Sequence, residues 1–146
     1  MKLPKYPLKA EQDLTIFEFI SKGTKGRITK LIVFEATNLN DFYNLAFGDK
    51  DITSGKIDDS VVSNNGDTEK VLATVVAAVY AFTDKYPEAW VYVTGSTASR
   101  TRLYRMGINK YLSELKTDFH VFGELENEWQ PYKKDNDFIG FVVKRK

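Results

Sequence analysis

The sequence predicts a mixed α+β fold, a single layer-type domain in which one sheet is packed by two helices, in the order β-β-β-α-β-α-β-β. Three observations support this prediction: short segments rich in β-branched and aromatic residues, two longer segments with helical periodicity, and turn-forming residues between them. The chain has 146 residues without an internal repeat or a long linker. It therefore predicts one domain over residues 1–146, in which residues 1–12 form a loosely ordered N-terminal segment.

Three strands are predicted in the first third of the chain. Residues 14–21 and 28–36 are rich in β-branched and aromatic side chains, and two glycines in the intervening KGTKGR indicate a hairpin. A third strand is predicted over residues 42–47, ending before a glycine. Its alternating pattern places on one face Tyr43, Leu45 and Phe47.

A polar loop and a long helix follow. Residues 48–66 form the longest candidate loop, in which Ile57 and residues 61–62 are candidates for a short edge strand. From Asp67 to Lys85 apolar residues recur at helical spacing, and a proline stops the helix soon afterwards. Its many alanines and valines predict a helix that lies deep against the sheet.

The C-terminal half predicts a strand, a second helix and two final strands. Residues 90–94 are apolar on both faces, as interior strands are. A helix is predicted over residues 98–116, weakened in its middle by Gly107. The final strands, residues 119–125 and 138–144, are joined by an acidic loop.

Composition excludes several classes of site. The chain contains no cysteine, which rules out disulfides, thiolate nucleophiles and thiolate-bound metals. With 21 basic and 20 acidic residues the net charge is +1, so a charged partner would need a local patch. No secretory signal and no apolar span of ~20 residues is evident, which predicts a cytoplasmic location and no membrane partner. We also predict no metal site and no cofactor.

The strongest candidate site is the strand-to-helix junction GSTASRTRLYR, residues 95–105. No acidic residue occurs between Glu88 and Glu114, whereas four cations do. Free N–H groups at a helix N-terminus receive phosphate or carboxylate, and the planar arginine side chain suits both anions. The predicted anion-binding residues are Ser96, Thr97, Ser99, Arg100, Arg102 and Arg105. Capping of the helix by serine and threonine, with the arginines on a solvated face, is the simpler alternative.

A second phosphate-loop candidate precedes the first helix. It comprises Asn65, Gly66, Asp67 and Thr68. A polar turn that feeds a helix N-terminus can hold a phosphate, but the two early acids would repel it, and helix capping is the alternative.

Three further features are less specific. The only histidine, His120, is interpreted as a structural strand residue. Glutamates at 124, 126 and 128 alternate, which predicts one acidic face that binds a cation or a basic partner, or that discourages strand aggregation. Trp129 and Tyr132 follow as large aromatics at a predicted surface, which indicates a contact site.

The segments NNGDTEKVLATV and GSTASRTRLYRMGI resemble a family of small uncharacterised bacterial proteins seen especially in Bacteroidetes. The resemblance covers about residues 64–108 and implies a bacterial, cytoplasmic origin without an established activity.

The element order is also similar to the core of GCN5-related N-acetyltransferases, whose late helix often contains Leu-Tyr and then Gly-hydrophobic, as in Leu103-Tyr104 and Gly107-Ile108 here. That similarity implies acetyl-CoA bound at the turn of residues 64–68 and Tyr104 as general acid. The turn departs from the family pattern, because it has a single glycine and two early acids.

The function therefore stays open among three classes. A non-enzymatic binding module would use the basic junction to engage a nucleic-acid backbone or an acidic protein surface. An acyl-CoA-dependent, acyltransferase-like enzyme is the alternative, and a component of a toxin-antitoxin-like pair is the third. A second copy of the chain is a further candidate partner. Charge falls in blocks: residues 89–113 hold four cations and no acid, whereas residues 118–137 hold six acids and two lysines.

Overall fold

A computed structural model describes residues 4–58, 64–95, 98–134 and 136–146, with the side chains of residues 98 and 99 outside that description. It confirms the mixed α+β class: the described residues form three helices and one open sheet of nine strands. The strands are β1 (Lys9–Ala10), β2 (Ile16–Gly23), β3 (Gly26–Ala36), β4 (Phe42–Lys50), β5 (Ile57–Asp58), β6 (Trp90–Val93), β7 (Phe119–Leu125), β8 (Glu128–Pro131) and β9 (Gly140–Arg145). The helices are α1 (Thr68–Lys85), α2 (Ala98–Lys110) and α3 (Leu112–Asp118).

The chain groups into two compact units that share strand β4. The first unit comprises Met1–Glu35 and Ala46–Lys85, and the second comprises Ala36–Leu45 and Tyr86–Lys146. The single-domain organisation stays a prediction.

The first unit places α1 on one face of its strands, in the order β1-β2-β3-β4 with β5 paired to β4. Strands β2 and β3 form the predicted antiparallel hairpin, and Gly26 at its turn has a φ of +87° that favours glycine. Phe34 of β3 stacks on Phe82 of α1 with ring centroids 4.1 Å apart. Phe82 is fully buried, so its truncation to alanine would cost about 3–5 kcal/mol. The prediction of a deeply packed helix is confirmed.

The N-terminal segment of the first unit makes specific contacts within residues 4–12, and the loose order predicted for residues 1–12 stays a prediction. Tyr6 is buried, and its N–H donates to Thr74 Oγ1 at 2.8 Å. Lys9 and Ala10 form β1 against β2. No hydrophobic pattern in the sequence predicts these contacts, because a strand of two residues is too short to show a period.

The second unit orders its strands β4-β6-β9-β7-β8. Strand β6 is parallel to β4 and antiparallel to β9, which confirms an interior strand over residues 90–93. Val91 of β6 and Phe141 of β9 are fully buried. Helix α3 packs against β7, and its Leu112 and Leu115 are buried.

The second unit also corrects two expectations. The helix predicted over residues 98–116 is divided at Tyr111, whose ψ of 14° is not helical, rather than weakened at Gly107. The Gly107 carbonyl accepts the Tyr111 N–H at 3.1 Å, so the helix continues through the glycine. The acidic loop contains a strand, β8, which pairs with β7 over four residues.

Candidate anion-binding surface

The predicted strand-to-helix junction depends on Gly95, which lies just beyond β6. Its N–H donates to Thr101 Oγ1 at 3.2 Å. A Cβ at Gly95 would lie 2.4 Å from the Thr101 backbone nitrogen, so only glycine allows the chain to fold this closely onto α2. Ser96 and Thr97 lie outside the described residues, as does the side chain of Ser99, and their anion contacts stay predictions.

The three predicted arginines differ in exposure. Arg100 is half-buried and Arg102 is exposed. Arg105 forms an ion pair with Asp137 through Nη1 and Oδ1, 3.0 Å apart, and the Asp137 side chain is 95% exposed. The Arg105 side chain is 24% exposed, so the pair is open to water mainly on its Asp137 side. Ion pairs open to water contribute about 0–1 kcal/mol, so an anion with more than one charge can displace Asp137 from Arg105.

Two lysines from the acidic C-terminal block are brought beside α2. The Tyr132 hydroxyl donates to Asn109 Oδ1 on α2 at 2.5 Å. Lys133 and Lys134 follow directly and are exposed. These contacts create a basic surface from two segments distant in sequence, and it consists of Arg102, Arg105, Lys110, Lys133 and Lys134.

The prediction that Tyr132 lies at the surface is wrong. Its ring packs on Phe138 and Phe141 at centroid distances of 5.2 and 5.7 Å, which leaves the residue 2% exposed. Burial also raises the pKa of Tyr132. The prediction for Trp129 is confirmed, because this residue is 44% exposed. Tyr132 therefore positions the lysines rather than contacting a partner itself.

The predicted single face of glutamates is also wrong. The chain turns at residues 126–127, and the register pairs Glu124 with Trp129 and Leu125 with Glu128. Because cross-strand partners share a face, Glu124 and Glu128 lie on opposite faces. Glu124 accepts the Tyr92 hydroxyl at 2.6 Å, and burial, followed by this hydrogen bond, raises the pKa of Tyr92 to about 12. His120 lies in β7 and is exposed.

The second phosphate-loop candidate is occupied by internal hydrogen bonds. Asn65 is 2% exposed, and its Oδ1 accepts the Lys25 N–H at 2.6 Å. Its amide nitrogen donates to Ser21 Oγ and to the Gly26 carbonyl, at 3.1 and 2.9 Å. Asn65 thus holds the β2–β3 turn against the start of α1. Whether Gly66 and Thr68 meet a phosphate stays a prediction.

Asp67 completes this network. Its Oδ2 accepts hydrogen bonds from the Tyr6 hydroxyl and from Ser21 Oγ, each at 2.5 Å. Burial, followed by the hydrogen bond to Asp67, raises the pKa of Tyr6. The Asp67 carbonyl also accepts the Val71 N–H, which begins α1. We refer to Tyr6, Ser21, Asn65 and Asp67 as the Tyr6–Asp67 network.

Tyr104, the candidate general acid, lies in the interior. It is 7% exposed, and burial raises its pKa to about 12. These observations favour a packing role, and a catalytic role stays a prediction.

Sequence reasoning missed Lys133 and Lys134, because they fall in a block dominated by acids. The signal available was a pair of lysines directly after an aromatic residue, which is common and has no defined structural meaning. Only the Tyr132–Asn109 hydrogen bond identifies them as neighbours of α2.

Two further classes of feature are absent from the described ranges. No group of three or more metal-ligating side chains is placed there to hold a metal ion. No helix in the same ranges is long and apolar enough to span a membrane.

Comparison with known proteins identifies a family. A family model with the description "Family of unknown function (DUF6934)" matches residues 2–146. No curated protein and no solved structure matches the chain.

Proposed function

We propose that this chain, which belongs to the family of unknown function DUF6934, is a non-enzymatic binding module that engages the phosphate backbone of a nucleic acid. The observation that carries the proposal is the convergence of the lysine pair Lys133–Lys134 with the acid-free helix α2, through the Tyr132–Asn109 hydrogen bond. Arginine and lysine side chains neutralise phosphates, and contacts of this kind fix a protein on a nucleic acid without reading its sequence.

The charge arrangement favours a polyanion over a single small anion. The basic surface combines cations on one side of α2 with Lys133 and Lys134, which directly follow Tyr132. Four of its cations, Arg102, Lys110, Lys133 and Lys134, are exposed, and Arg105 pairs with the exposed Asp137. A backbone with regularly spaced phosphates can contact several of these side chains at once and release a counterion at each contact.

The salt dependence of binding follows from the number of contacts. Four phosphate contacts on duplex DNA give a slope of log K against log salt of about −3.6. Raising the salt from about 50 to 200 mM should therefore weaken binding about a hundredfold. Removing two cations should reduce the slope to about −1.8.

Fluorescence anisotropy with labelled single-stranded DNA, duplex DNA and RNA tests the proposal. The Arg102→Ala/Lys110→Ala variant should lose at least about tenfold in affinity at low salt and show the shallower slope. Lys25→Ala/Arg27→Ala is the matched control, because it removes two exposed cations from the β2–β3 turn of the first unit. It should bind within about twofold of the parent. Equal losses in both variants, or no binding by the parent at micromolar concentration, would overturn the proposal.

The other functional classes give different outcomes. Binding to polyglutamate but not to nucleic acid would assign the basic surface to an acidic protein partner, which includes the partner of a toxin-antitoxin-like pair. The acyltransferase alternative predicts heat on titration with millimolar acetyl-CoA and loss of that heat in a Tyr104→Phe variant. A homodimer predicts an elution volume that changes with protein concentration.

A further inference from the structure

A concave groove of about 620 Å³ lies in the first unit, on the sheet face opposite α1. Phe34 contacts α1, so its neighbours Val33 and Glu35 point to the other face, where they line the groove. The volume is within the range of about 300–1,000 Å³ that is typical of ligand sites. The groove lies in a different unit from the basic surface.

The floor of the groove is aliphatic. Ile16 and Val33 are register partners on β2 and β3, and both are partly exposed. Leu31 is buried at 5% exposure, and Ile57 of β5 contributes a further side chain to the lining. An apolar floor at the base of a concavity favours a ligand that carries apolar groups, because covering the floor removes that surface from water.

Six charged side chains surround this floor, and two of them neutralise each other. Lys50 Nζ lies 2.7 Å from Glu18 Oε1, with both side chains about one-third exposed (34% and 29%). The remaining four are two cations, Lys9 and Lys56, and two anions, Glu11 and Glu35. In the part of the chain that the structure describes, none of these four forms an ion pair, and all are exposed.

The four side chains separate by sign along the strands. Lys9 pairs in register with Glu18, and Glu18 with Leu31, so Lys9 lies at the Leu31 end of the groove. Lys56 directly precedes Ile57, and Ile57 pairs in register with Lys50. The Lys50 ammonium group contacts the same Glu18, so Lys56 also lies at the Leu31 end. The cations therefore lie toward one end of the strands but on opposite sides of the groove, because β1 and β5 are four strand positions apart at about 4.8 Å each.

The acids lie further along the strands. The Glu11 N–H donates to the carbonyl of Ile16, and Ile16 pairs in register with Val33. Glu11 therefore lies in the row of Val33, which is two residues beyond Leu31. Glu35 is two residues further on. At about 3.3 Å per residue, the acids lie about 7 and 13 Å along the strand from the row that contains Lys9.

We infer that the groove binds a short, extended, apolar peptide with free termini. The ammonium group of the peptide lies at the Glu11 and Glu35 end, and its carboxylate lies at the Lys9 and Lys56 end. A separation of up to about 13 Å matches an extended peptide of about four residues at 3.3 Å each. A single amino acid, whose two charged groups flank one Cα, is too short to reach both ends. The inference does not depend on nucleic-acid binding.

The first test uses the tetrapeptide Val-Ala-Val-Ala with free termini, titrated into ¹⁵N-labelled full-length protein. Amide shifts are expected at Leu31, Val33 and Ile57, with saturation at millimolar peptide or below. The N-acetylated and the C-amidated peptides should each bind at least about fivefold more weakly, because each lacks one charge. Free valine should bind more weakly than either.

The second test couples each peptide charge to its side chains. In Lys9→Gln/Lys56→Gln, amidation of the peptide should cause no further loss, whereas acetylation still should. Lys25→Gln/Arg27→Gln, which alters two exposed cations outside the groove, should respond to both modifications as the parent does. The inference is overturned if no amide shifts by about 10 mM peptide, if shifts map elsewhere, or if the modified peptides bind the parent as well as the free one. The peptide analogues decide the question on the parent chain even if a variant fails to fold.

Discussion

Replacing Asp67 with alanine is expected to destabilise the first unit, because one carboxylate satisfies two interior hydroxyls. Asp67 Oδ2 accepts hydrogen bonds from Tyr6 and Ser21, each at 2.5 Å. Ser21 is 0% exposed and Tyr6 is 5% exposed, so water cannot readily replace the lost acceptor. The substitution therefore removes the acceptor of the buried Ser21 hydroxyl, while the Tyr6 hydroxyl keeps the Lys22 carbonyl, 3.1 Å away, as an acceptor.

The magnitude follows from these two bonds. A hydrogen bond to a charged group contributes about 1.5–3 kcal/mol, so loss of both removes about 3–6 kcal/mol. The hydrogen bond from Tyr6 to the Lys22 carbonyl offsets about 1 kcal/mol of this, which predicts a decrease of about 2–5 kcal/mol in the free energy of unfolding. For a chain of 146 residues, the unfolding entropy near Tm is about 0.3 kcal/mol per degree. The Tm should then fall by about 6–16 °C.

Urea unfolding at neutral pH, followed by far-UV circular dichroism, measures this change. Both tryptophans, Trp90 and Trp129, lie in the second unit, so tryptophan fluorescence reports on that unit separately. We expect the circular dichroism transition of Asp67→Ala to move to lower urea. Coincidence of the two transitions would indicate that the units unfold together.

An asparagine variant separates the lost acceptor from lost packing, because asparagine has nearly the same shape as aspartate and keeps one acceptor oxygen. Asp67→Asn should recover about 1–2 kcal/mol relative to Asp67→Ala. A loss below about 1 kcal/mol in Asp67→Ala would contradict the expected role of these hydrogen bonds, as would an Asp67→Asn variant no more stable than Asp67→Ala.

Three further predictions concern the second unit and one control in the first. Gly95→Ala should lower the free energy of unfolding by about 1–3 kcal/mol in a thermal melt, because its Cβ would lie 2.4 Å from a backbone nitrogen. Gly55→Ala is the control: its Cβ would meet no atom within 4 Å, so only its φ of +73° is unfavourable, at about 1 kcal/mol. Tyr132→Phe should weaken nucleic-acid binding several-fold while costing no more than about 1.5 kcal/mol, since it releases the lysines from Asn109; unchanged affinity would contradict this positioning role. The Tyr104 pKa of about 12 lies above its ordinary value of 10, so its stabilising contribution is complete below about pH 10 and is lost as the pH rises through 12. Between pH 9 and pH 11 the urea midpoint should therefore decrease less in Tyr104→Phe than in the parent. An equal decrease in both proteins would contradict the assignment of this pH dependence to Tyr104.

Local periodicity predicted most of the regular structure. The strand predicted over residues 119–125 coincides with β7, and the helix predicted from Asp67 to Lys85 coincides with α1 apart from its first residue. These segments are long enough for side-chain alternation or helical spacing to be visible in the residues themselves. Strand β1 was not predicted, because Lys9–Ala10 is too short and polar to show a pattern, and β8 was not predicted, because EWQP lacks β-branched residues and contains a proline. Ile57 does form the short edge strand β5, as one alternative expected.

The sites depend more strongly on tertiary structure. Sequence alone identified α2 as acid-free, because the absence of a residue type can be read along the chain. It could not show that Asn65 and Asp67 bond to β2 and the β2–β3 turn, since hydrogen bonds to residues about 40 or more positions away leave no local pattern. Likewise, nothing in the spacing of Lys9, Glu11, Glu35 and Lys56 indicates that they surround one groove.

The charge distribution shows the same division. By itself, the sequence determined the net charge of +1, the absence of thiol chemistry and the alternation of acidic and basic blocks, because these properties depend only on which residues are present and in what order. The tertiary structure decided which charges become neighbours. The turn at residues 126–127 sends Glu124 and Glu128 to opposite faces, while the buried Tyr132 brings Lys133 and Lys134 to α2. Electrostatic attraction depends on distance in space, and only the fold brings these distant segments together.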